Sequence, residues 1–125
     1  MNDLNKEYIK VDKGIIKGFF KVFFFGENGS FLFYVPSLNL SSYGDSVIEA
    51  EDMLKYIVIP DYCRNLMGLP KSTIFQELKQ LGWQRSKFFQ NDLTKELLIN
   101  KQDFLKEFDL SDDTIIEEKQ FTIAC

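Results

Sequence analysis

Hydrophobic residues in the first third of the chain follow the pattern of β-strands. The segment 14–25 is rich in Ile, Val and Phe, which favour strands. A period of two places Phe20, Val22 and Phe24 on one face of this strand. Because lysines interrupt the opposite face, we expect water to reach that face in part. The members of the opposite face are Lys17, Phe19, Lys21, Phe23 and Phe25.

A tight turn and a return strand are predicted next. Asn28 and Gly29 adopt positive φ at low cost, which is typical of a two-residue hairpin. The segment 30–35 is then the antiparallel return strand. Pro36 has no amide hydrogen to donate, so we expect strand pairing to stop there. A short third strand is predicted over residues 38–43.

The periodicity changes to that of a helix near Ser46. Ser46 and Glu49 have the spacing of a capping box, which marks the start of a helix. Apolar residues then recur at helical spacing, at Val47, Ala50, Leu54, Ile57 and Val58. Pro60 is expected to end or kink this helix near Ile59, with residues 61–67 continuing it.

Two further helical segments are predicted in the second half of the chain. The first covers residues 72–81, where Thr73 and Gln76 have capping-box spacing. Gly82 suits the left-handed position just beyond the end of that helix. The second covers residues 95–108 and is mostly helical.

The combined pattern predicts one α+β domain. A small antiparallel sheet, made of a β-hairpin and a short third strand, packs against the helix that starts at Ser46. A helical segment and a short C-terminal strand at 120–124 follow, and residues 1–13 form a loose arm or a weak first strand. The length of 125 residues fits a single domain. Its sub-parts are the β-β-β-α unit 14–68 and the helical remainder 69–125.

Composition narrows the possible functions. The chain has no histidine, which excludes Ser-His-Asp and Cys-His catalysis and histidine metal ligands. No carboxylates stand at a recognisable catalytic spacing, and the acidic residues near the C-terminus lack the loop pattern of a calcium site. We therefore predict a protein that is not an enzyme and that uses no cofactor and no metal.

Cysteine usage and hydropathy bear on the cellular compartment. The two cysteines, Cys63 and Cys125, predict one buried thiol and one terminal thiol and no disulfide framework. The N-terminus does not have the pattern of a signal peptide. The longest apolar stretch, residues 15–25, contains lysines and is too short for a membrane span of about 20 residues. These observations predict a cytoplasmic protein without a membrane partner.

A motif lies between the return strand and the first helix. Its members are Val35-Pro36, Leu38, Gly44-Asp45-Ser46 and Glu49-Ala50. This layout resembles that of HicB-like antitoxins, which carry Val-Pro-Asp-Leu-Pro-Gly, then Gly-Asp-Thr, then a helix with Glu-Glu-Ala. The sequence departs from that pattern at Ser37, which replaces the usual Asp, and at Ile48, which replaces the first Glu. The Pro-Gly pair is also absent, and the resemblance covers residues 14–59 only.

The resemblance implies a degraded ribonuclease H-like fold and a binding role. In that family, the domain covers a small ribonuclease toxin whose catalysis uses histidine, so the implied partner is a small basic protein. The sheet edge and the helix after Ser46 are expected to make the contact. The predicted partner-binding side chains are Phe31, Phe33, Val35 and Tyr43. Self-association through the phenylalanine stripe of residues 19–25 is an alternative.

A second alternative is a DNA-binding regulator. The segment 75–93 has spacings that resemble a helix-turn-helix, with Gly82 in the turn and residues 86–89 on the recognition helix. Residues 71–101 contain six Lys/Arg and three Asp/Glu, a net of +3 in a chain whose net charge is −4. The predicted DNA-binding residues are Gln84, Arg85, Lys87 and Gln90. An amphipathic helix followed by a loop anchored by Trp83 is the other interpretation of this segment.

Overall fold

The computed structural model describes residues 6–12, 15–86, 92–96, 101–111 and 113–124. The predicted α+β class is confirmed: an open antiparallel sheet packs against helices. The strands are β1 Lys6–Asp12, β2 Ile15–Glu27, β3 Ser30–Val35, β4 Leu40–Gly44, β5 Gln84–Arg85, β6 Asp92–Glu96 and β7 Glu117–Ala124. The helices are α1 Val47–Met53, α2 Ile59–Met67, α3 Lys71–Gln80 and α4 Lys101–Glu107, and a π-helical turn, Leu54–Val58, joins α1 to α2.

The sheet is forked at β2. Its strand order is β4-β3-β2-β1-β6-β5, and β7 also pairs with β2. On β2, β1 pairs with residues 15–19, β3 pairs with residues 23–27, and β7 pairs with residues 17–24. Because β7 overlaps both other ladders, β1 and β3 share the opposite edge of β2, one after the other. Residues 20–22 therefore lie in the gap between the two branches.

The predicted meander is confirmed. Asn28 and Gly29 have φ values of 53° and 80°, the two positive values that a type I′ hairpin turn requires. The return strand ends at Val35, before Pro36, as predicted. The third strand begins at Leu40, two residues later than predicted, because residues 36–39 form a turn.

The first helix continues past Pro60, the second of the two predicted alternatives. It starts where expected, and the Ser46 hydroxyl accepts a hydrogen bond from the Glu49 amide at 3.1 Å. Pro60 does not end it, because the helix runs on through the π turn into α2. There the Ile59 amide donates to the Leu54 carbonyl five residues back, which is the π-helical pattern. This wider turn precedes the proline, which occupies the first turn of α2.

The π turn also explains an error in the predicted apolar face. Ala50 and Leu54 are buried as expected, but Ile57 is 50% exposed. An extra residue in one turn rotates all later positions about the helix axis. Ile59 consequently takes the buried position, and Ile57 turns outward.

One face of the sheet, called here the inner face, carries the larger core. It packs against α1, the π turn, α2 and α3. The largest fully buried side chains of this core are Trp83, Phe20, Phe33, Ile9, Leu54, Ile59, Leu78 and Leu93. The Phe24 and Phe33 rings stack with centroids 4.7 Å apart, which joins β2 to β3 within this core.

The side chains on the opposite face of the sheet, called here the outer face, are less exposed to solvent than predicted. Phe104 of α4 packs against Phe23 at 4.8 Å and against Tyr34 at 5.7 Å between ring centroids. Lys21 is only 6% exposed and Phe25 only 4%. The prediction that water reaches this face is wrong at Lys21 and Phe25, whereas Lys17 is exposed, as predicted. The phenylalanine stripe proposed for self-association is largely covered in the same way.

The second half of the chain contributes more strands than predicted. Lys95 belongs to β6, which pairs with β1, so the helix predicted from residue 95 begins only at Lys101. The predicted capping box at Thr73 is not formed, since α3 begins after Pro70 without a side-chain cap. Gly82, with φ 99°, takes the predicted left-handed position.

Two further observations concern the cysteine and membrane predictions. Cys63 is buried and disulfide-bonded, so the expectation of a free buried thiol there is wrong. Cys125 lies outside the described residues. Within the described ranges, none of the helices has the length and apolar character that crossing a membrane requires.

Candidate functional site

The π turn presents an apolar groove, called here the α1 groove, on the outside of the first helix. Ile48 is 71% exposed and Tyr56 66% exposed, both high values for large hydrophobic side chains. The groove is shallow and open to solvent, with a volume of about 510 Å³. Its lining residues are Ser46, Ile48, Glu49, Asp52, Met53, Tyr56 and Ile57.

The charge of the α1 groove is negative. Glu49 and Asp52 are its only charged lining residues. Lys55 lies beside it, with the ammonium group 6.0 Å from the Tyr56 ring and 5.7 Å from the Phe121 ring of β7. An exposed apolar surface rimmed by polar residues is typical of a protein-binding site, and the two carboxylates of this lining would be complemented by a basic partner.

Two of the four partner-binding residues predicted on the sheet are not on the surface. Phe33 and Val35 are both fully buried in the inner-face core, so their side chains have no surface to offer a partner. Phe31 is half-buried. Tyr43, on the edge strand β4, is 65% exposed and remains available.

Sequence reasoning missed the residues of the α1 groove. One signal was present: Ile48 is apolar but lies outside the helical period of Val47, Ala50 and Leu54, between residues of the acidic face. The exposure of Ile57 depends on the π turn, and no local sequence pattern predicts that turn.

A second concave site, called here the α3 cavity, lies between α3 and β5. It encloses about 640 Å³. Its lining residues are Ser72, Phe75, Gln76, Lys79, Gly82, Trp83, Gln84, Arg85 and Leu93. Lys79 and Arg85 are the charged members of this set, so the cavity carries positive charge. The Arg85 guanidinium carbon lies 4.1 Å from the centre of the Phe75 ring, in a cation–π contact.

The turn after α3 fixes the floor of the α3 cavity. The Gly82 amide donates to the Lys79 carbonyl and the Trp83 amide to the Leu78 carbonyl, at 2.9 and 3.0 Å. This pair of bonds is a Schellman motif, which requires the left-handed Gly82. The Trp83 indole nitrogen then donates to the Ser37 carbonyl at 3.0 Å, which anchors the ring in the core.

Two of the four predicted DNA-binding residues line the α3 cavity, and the other two lie outside the described residues. Gln84 and Arg85 line the cavity, and they lie in β5, which pairs with Leu93 and Thr94 of β6. The Ser86 amide donates to the Asp92 carbonyl at 2.8 Å, which extends that ladder. Residues 84–86 are therefore strand-like and do not begin a second helix. Lys87 and Gln90 lie outside the described residues.

Glu7 is a fully buried carboxyl group at the fork of the sheet. Lys21 lies in the gap of β2 between β1 and β3, and its amide donates to Glu7 Oε2 at 2.9 Å. The Ser37 hydroxyl donates to the same oxygen at 2.8 Å. Glu7 thus supplies the acceptor that a neighbouring strand would otherwise provide.

The second oxygen of Glu7, Oε1, is buried without a hydrogen-bond partner. Burial raises the pKa of Glu7 above its ordinary value of 4.5. The hydrogen bonds from Lys21 and Ser37 and the positive charges of Lys95 and Lys21 oppose this rise. The side chain is 0% exposed, and its Oε2 joins β2 at Lys21 to Ser37 through the two hydrogen bonds.

In the part of the chain that the structure describes, no three Asp, Glu or Cys side chains converge as a metal site would require. No protein-family model matches the sequence, and no match to it was found among curated proteins or solved structures. The HicB-like resemblance therefore rests on the motif between Val35 and Ala50.

Proposed function

We propose that the chain is a non-catalytic binding module, a HicB-like antitoxin that neutralises a small basic protein partner. The order of elements supports this proposal. Three meandering strands, β2 to β4, are followed by a helix capped at Ser46, in the order that the motif requires. This order alone is common to many folds, so the surface chemistry has to support the binding role.

The α1 groove is the observation that carries the proposal. Its apolar side chains are held on a helix whose inner residues, Ala50 and Leu54, are fully buried, so the groove is built on a rigid support. Tyrosine is enriched among the residues that dominate binding energy at interfaces, and Tyr56 occupies the groove. Glu49 and Asp52 would attract and orient a basic partner.

A retention experiment tests this proposal. The tagged chain is purified from its native cell at low salt, and bound proteins are identified by intact mass. A small basic protein at equal stoichiometry is expected. Tyr56→Glu should weaken its binding by at least about 2 kcal/mol, because a charge replaces an apolar anchor. The matched control is Ile115→Glu, an equally polar change at a residue that is 77% exposed and outside the groove.

The captured partner is then assayed as a ribonuclease. We expect it to degrade RNA alone and to lose this activity when the wild-type chain is added. The Tyr56→Glu variant should inhibit poorly, and the Ile115→Glu variant should inhibit like the wild type. Equal inhibition by all three would show that the α1 groove does not make the contact. A chain that emerges alone, or only with itself, would contradict the antitoxin proposal.

A DNA-binding regulator is the second candidate function. The observation that favours it is the positive charge of the α3 cavity, where Lys79 and Arg85 converge. Phosphate contacts make affinity fall steeply as salt rises. Replacing both Arg85 and Lys87 by Ala should weaken DNA binding and leave partner binding unchanged. A DNA affinity that is unchanged by this double substitution would contradict this candidate.

A further inference from the structure

We propose that the α3 cavity binds a nucleotide, either free in solution or as one unit of a single-stranded nucleic acid. This site uses α3 and β5, and it shares no lining residue with the α1 groove. The proposal is therefore independent of the antitoxin function, and either one can fail without the other. It shares Lys79 and Arg85 with the DNA-binding candidate, and binding of the monophosphates without the oligonucleotide would separate the two.

The cavity has the size and rigidity of a small-molecule site. Its volume of about 640 Å³ falls within the usual range of about 300–1,000 Å³ for such sites. Ser72, Phe75, Gln76 and Lys79 line one wall, and their spacing places them on a single face of α3. The Schellman turn and the anchored Trp83 fix the opposite wall relative to the helix.

The charge of the lining selects an anion. Lys79 and Arg85 are exposed side chains of this lining, which contains no carboxylate among its described residues. The chain as a whole has a net charge of −4, so this positive concavity is not a consequence of overall composition. Lys and Arg are the side chains that pair with phosphate groups.

The remaining lining residues favour a flat, hydrogen-bonding body attached to that anion. The planar guanidinium group of Arg85 contacts Phe75, with its carbon 4.1 Å from the centre of the ring. Nucleobases stack on such planes as they do on aromatic rings. Gln76 and Gln84 each offer an amide donor and acceptor, the groups that match the edge of a base. Phosphate, base stacking and base-edge contacts together define a nucleotide.

The only tryptophan of the chain, Trp83, is 1% exposed and lies in the wall of the cavity, so its fluorescence can report a ligand bound beside it. Its fluorescence is measured while the full chain is titrated with thymidine monophosphate, adenosine monophosphate, inorganic phosphate or single-stranded oligodeoxythymidine. We expect saturable quenching by a nucleotide at lower concentration than by phosphate. Quenching by the monophosphates identifies a free nucleotide, and quenching by the oligonucleotide alone identifies a nucleic-acid strand.

Matched lysine variants test whether the signal comes from this site. Lys79→Ala removes a cation from the cavity and should weaken binding by about tenfold, the usual effect of losing a charged hydrogen bond. Lys106→Ala is the control, because Lys106 is an exposed lysine in the last turn of α4, as Lys79 is in the last turn of α3. It should leave the dissociation constant unchanged. Arg85→Lys keeps the positive charge but removes the planar guanidinium group on which a base would stack. It should therefore weaken nucleotide binding more than phosphate binding.

Three results would overturn the proposal. The first is the absence of saturable quenching by any of the four probes. The second is equal weakening by Lys79→Ala and Lys106→Ala, which would indicate general charge attraction. The third is equal affinity for inorganic phosphate and for the nucleotides, which would show that the base does not contribute to binding. Thermal unfolding of each variant checks that the fold is retained.

Discussion

The two faces of the sheet are covered in different ways. The inner face is buried under three helices and a π turn, and it contributes most of the fully buried side chains. The outer face has a smaller aromatic cluster, made of Phe25, Leu32, Tyr34 and Phe104, under the short helix α4. Both candidate binding sites are built on helices of the inner face. We therefore expect stability and binding to depend mainly on the inner core. The outer cluster is expected to contribute less to both.

Truncation in the inner core is expected to have the largest effect. Phe20 is 1% exposed and meets the Trp83 ring edge-to-face, with centroids 6.0 Å apart. Phe20→Ala should lower the free energy of unfolding by about 3–5 kcal/mol, since it leaves a large cavity. Denaturant unfolding measures this loss, and Trp83 fluorescence should report it directly. A loss below about 1 kcal/mol would mean that the inner face does not dominate stability.

Truncation in the outer cluster should have a smaller and more local effect. Phe104 is also 1% exposed, but its ring partners among the described residues are Phe23 and Tyr34 on the outer face and Phe108 just after α4. Phe104→Ala should cost about 2–3 kcal/mol, because a seven-residue helix can undock and relax around the missing ring.

Amide hydrogen exchange distinguishes these two kinds of loss. In Phe104→Ala, protection should fall in α4 and remain high in α1 and α3. The Phe104→Ala variant should still bind the nucleotide and the protein partner. The Phe20→Ala variant should lose both kinds of binding at denaturant concentrations that unfold the variant. A uniform loss of protection in Phe104→Ala would show that the two faces fold as one unit.

The same division explains how much could be predicted from the sequence. The hairpin at Asn28-Gly29, the end of β3 at Pro36 and the helix start at Ser46 are set by residues that are neighbours in sequence, and all three were predicted correctly. The strand that contains Lys95 and the burial of Lys21 depend on pairing with β1 and on covering by distant elements. No local pattern encodes those contacts, so the predictions failed there.

The candidate sites follow the same rule. Gln84 and Arg85 were singled out from local charge and amide groups, and both line the α3 cavity. The spacing of Ile57 fits an ideal helix and predicts a core position, but the π turn places this residue in the α1 groove. Phe33 was assigned to the surface although it belongs to the core. Residue type indicated chemistry well, but exposure required the three-dimensional structure.

The smallest effect concerns Glu7, the one carboxyl group buried within the inner face among the described residues. Its pKa is raised in the folded chain, mainly by burial. A raised pKa means that the folded state binds this proton more tightly than the unfolded state does. The contribution of Glu7 to stability is therefore complete below pH 4.5 and is lost as pH rises through the folded pKa.

Glu7→Gln tests this sign. The amide oxygen can still accept from the Lys21 amide and the Ser37 hydroxyl, but the group no longer titrates. The difference in unfolding free energy between wild type and variant, measured from pH 4 to pH 8, should shift in favour of the variant as pH rises. Each tenfold difference in proton affinity between the folded and unfolded states corresponds to about 1.4 kcal/mol. A difference that is independent of pH would mean that the hydrogen bonds from Lys21 and Ser37 and the positive charges of Lys95 and Lys21 cancel the effect of burial on the Glu7 pKa. A shift in the opposite direction would mean that they outweigh it.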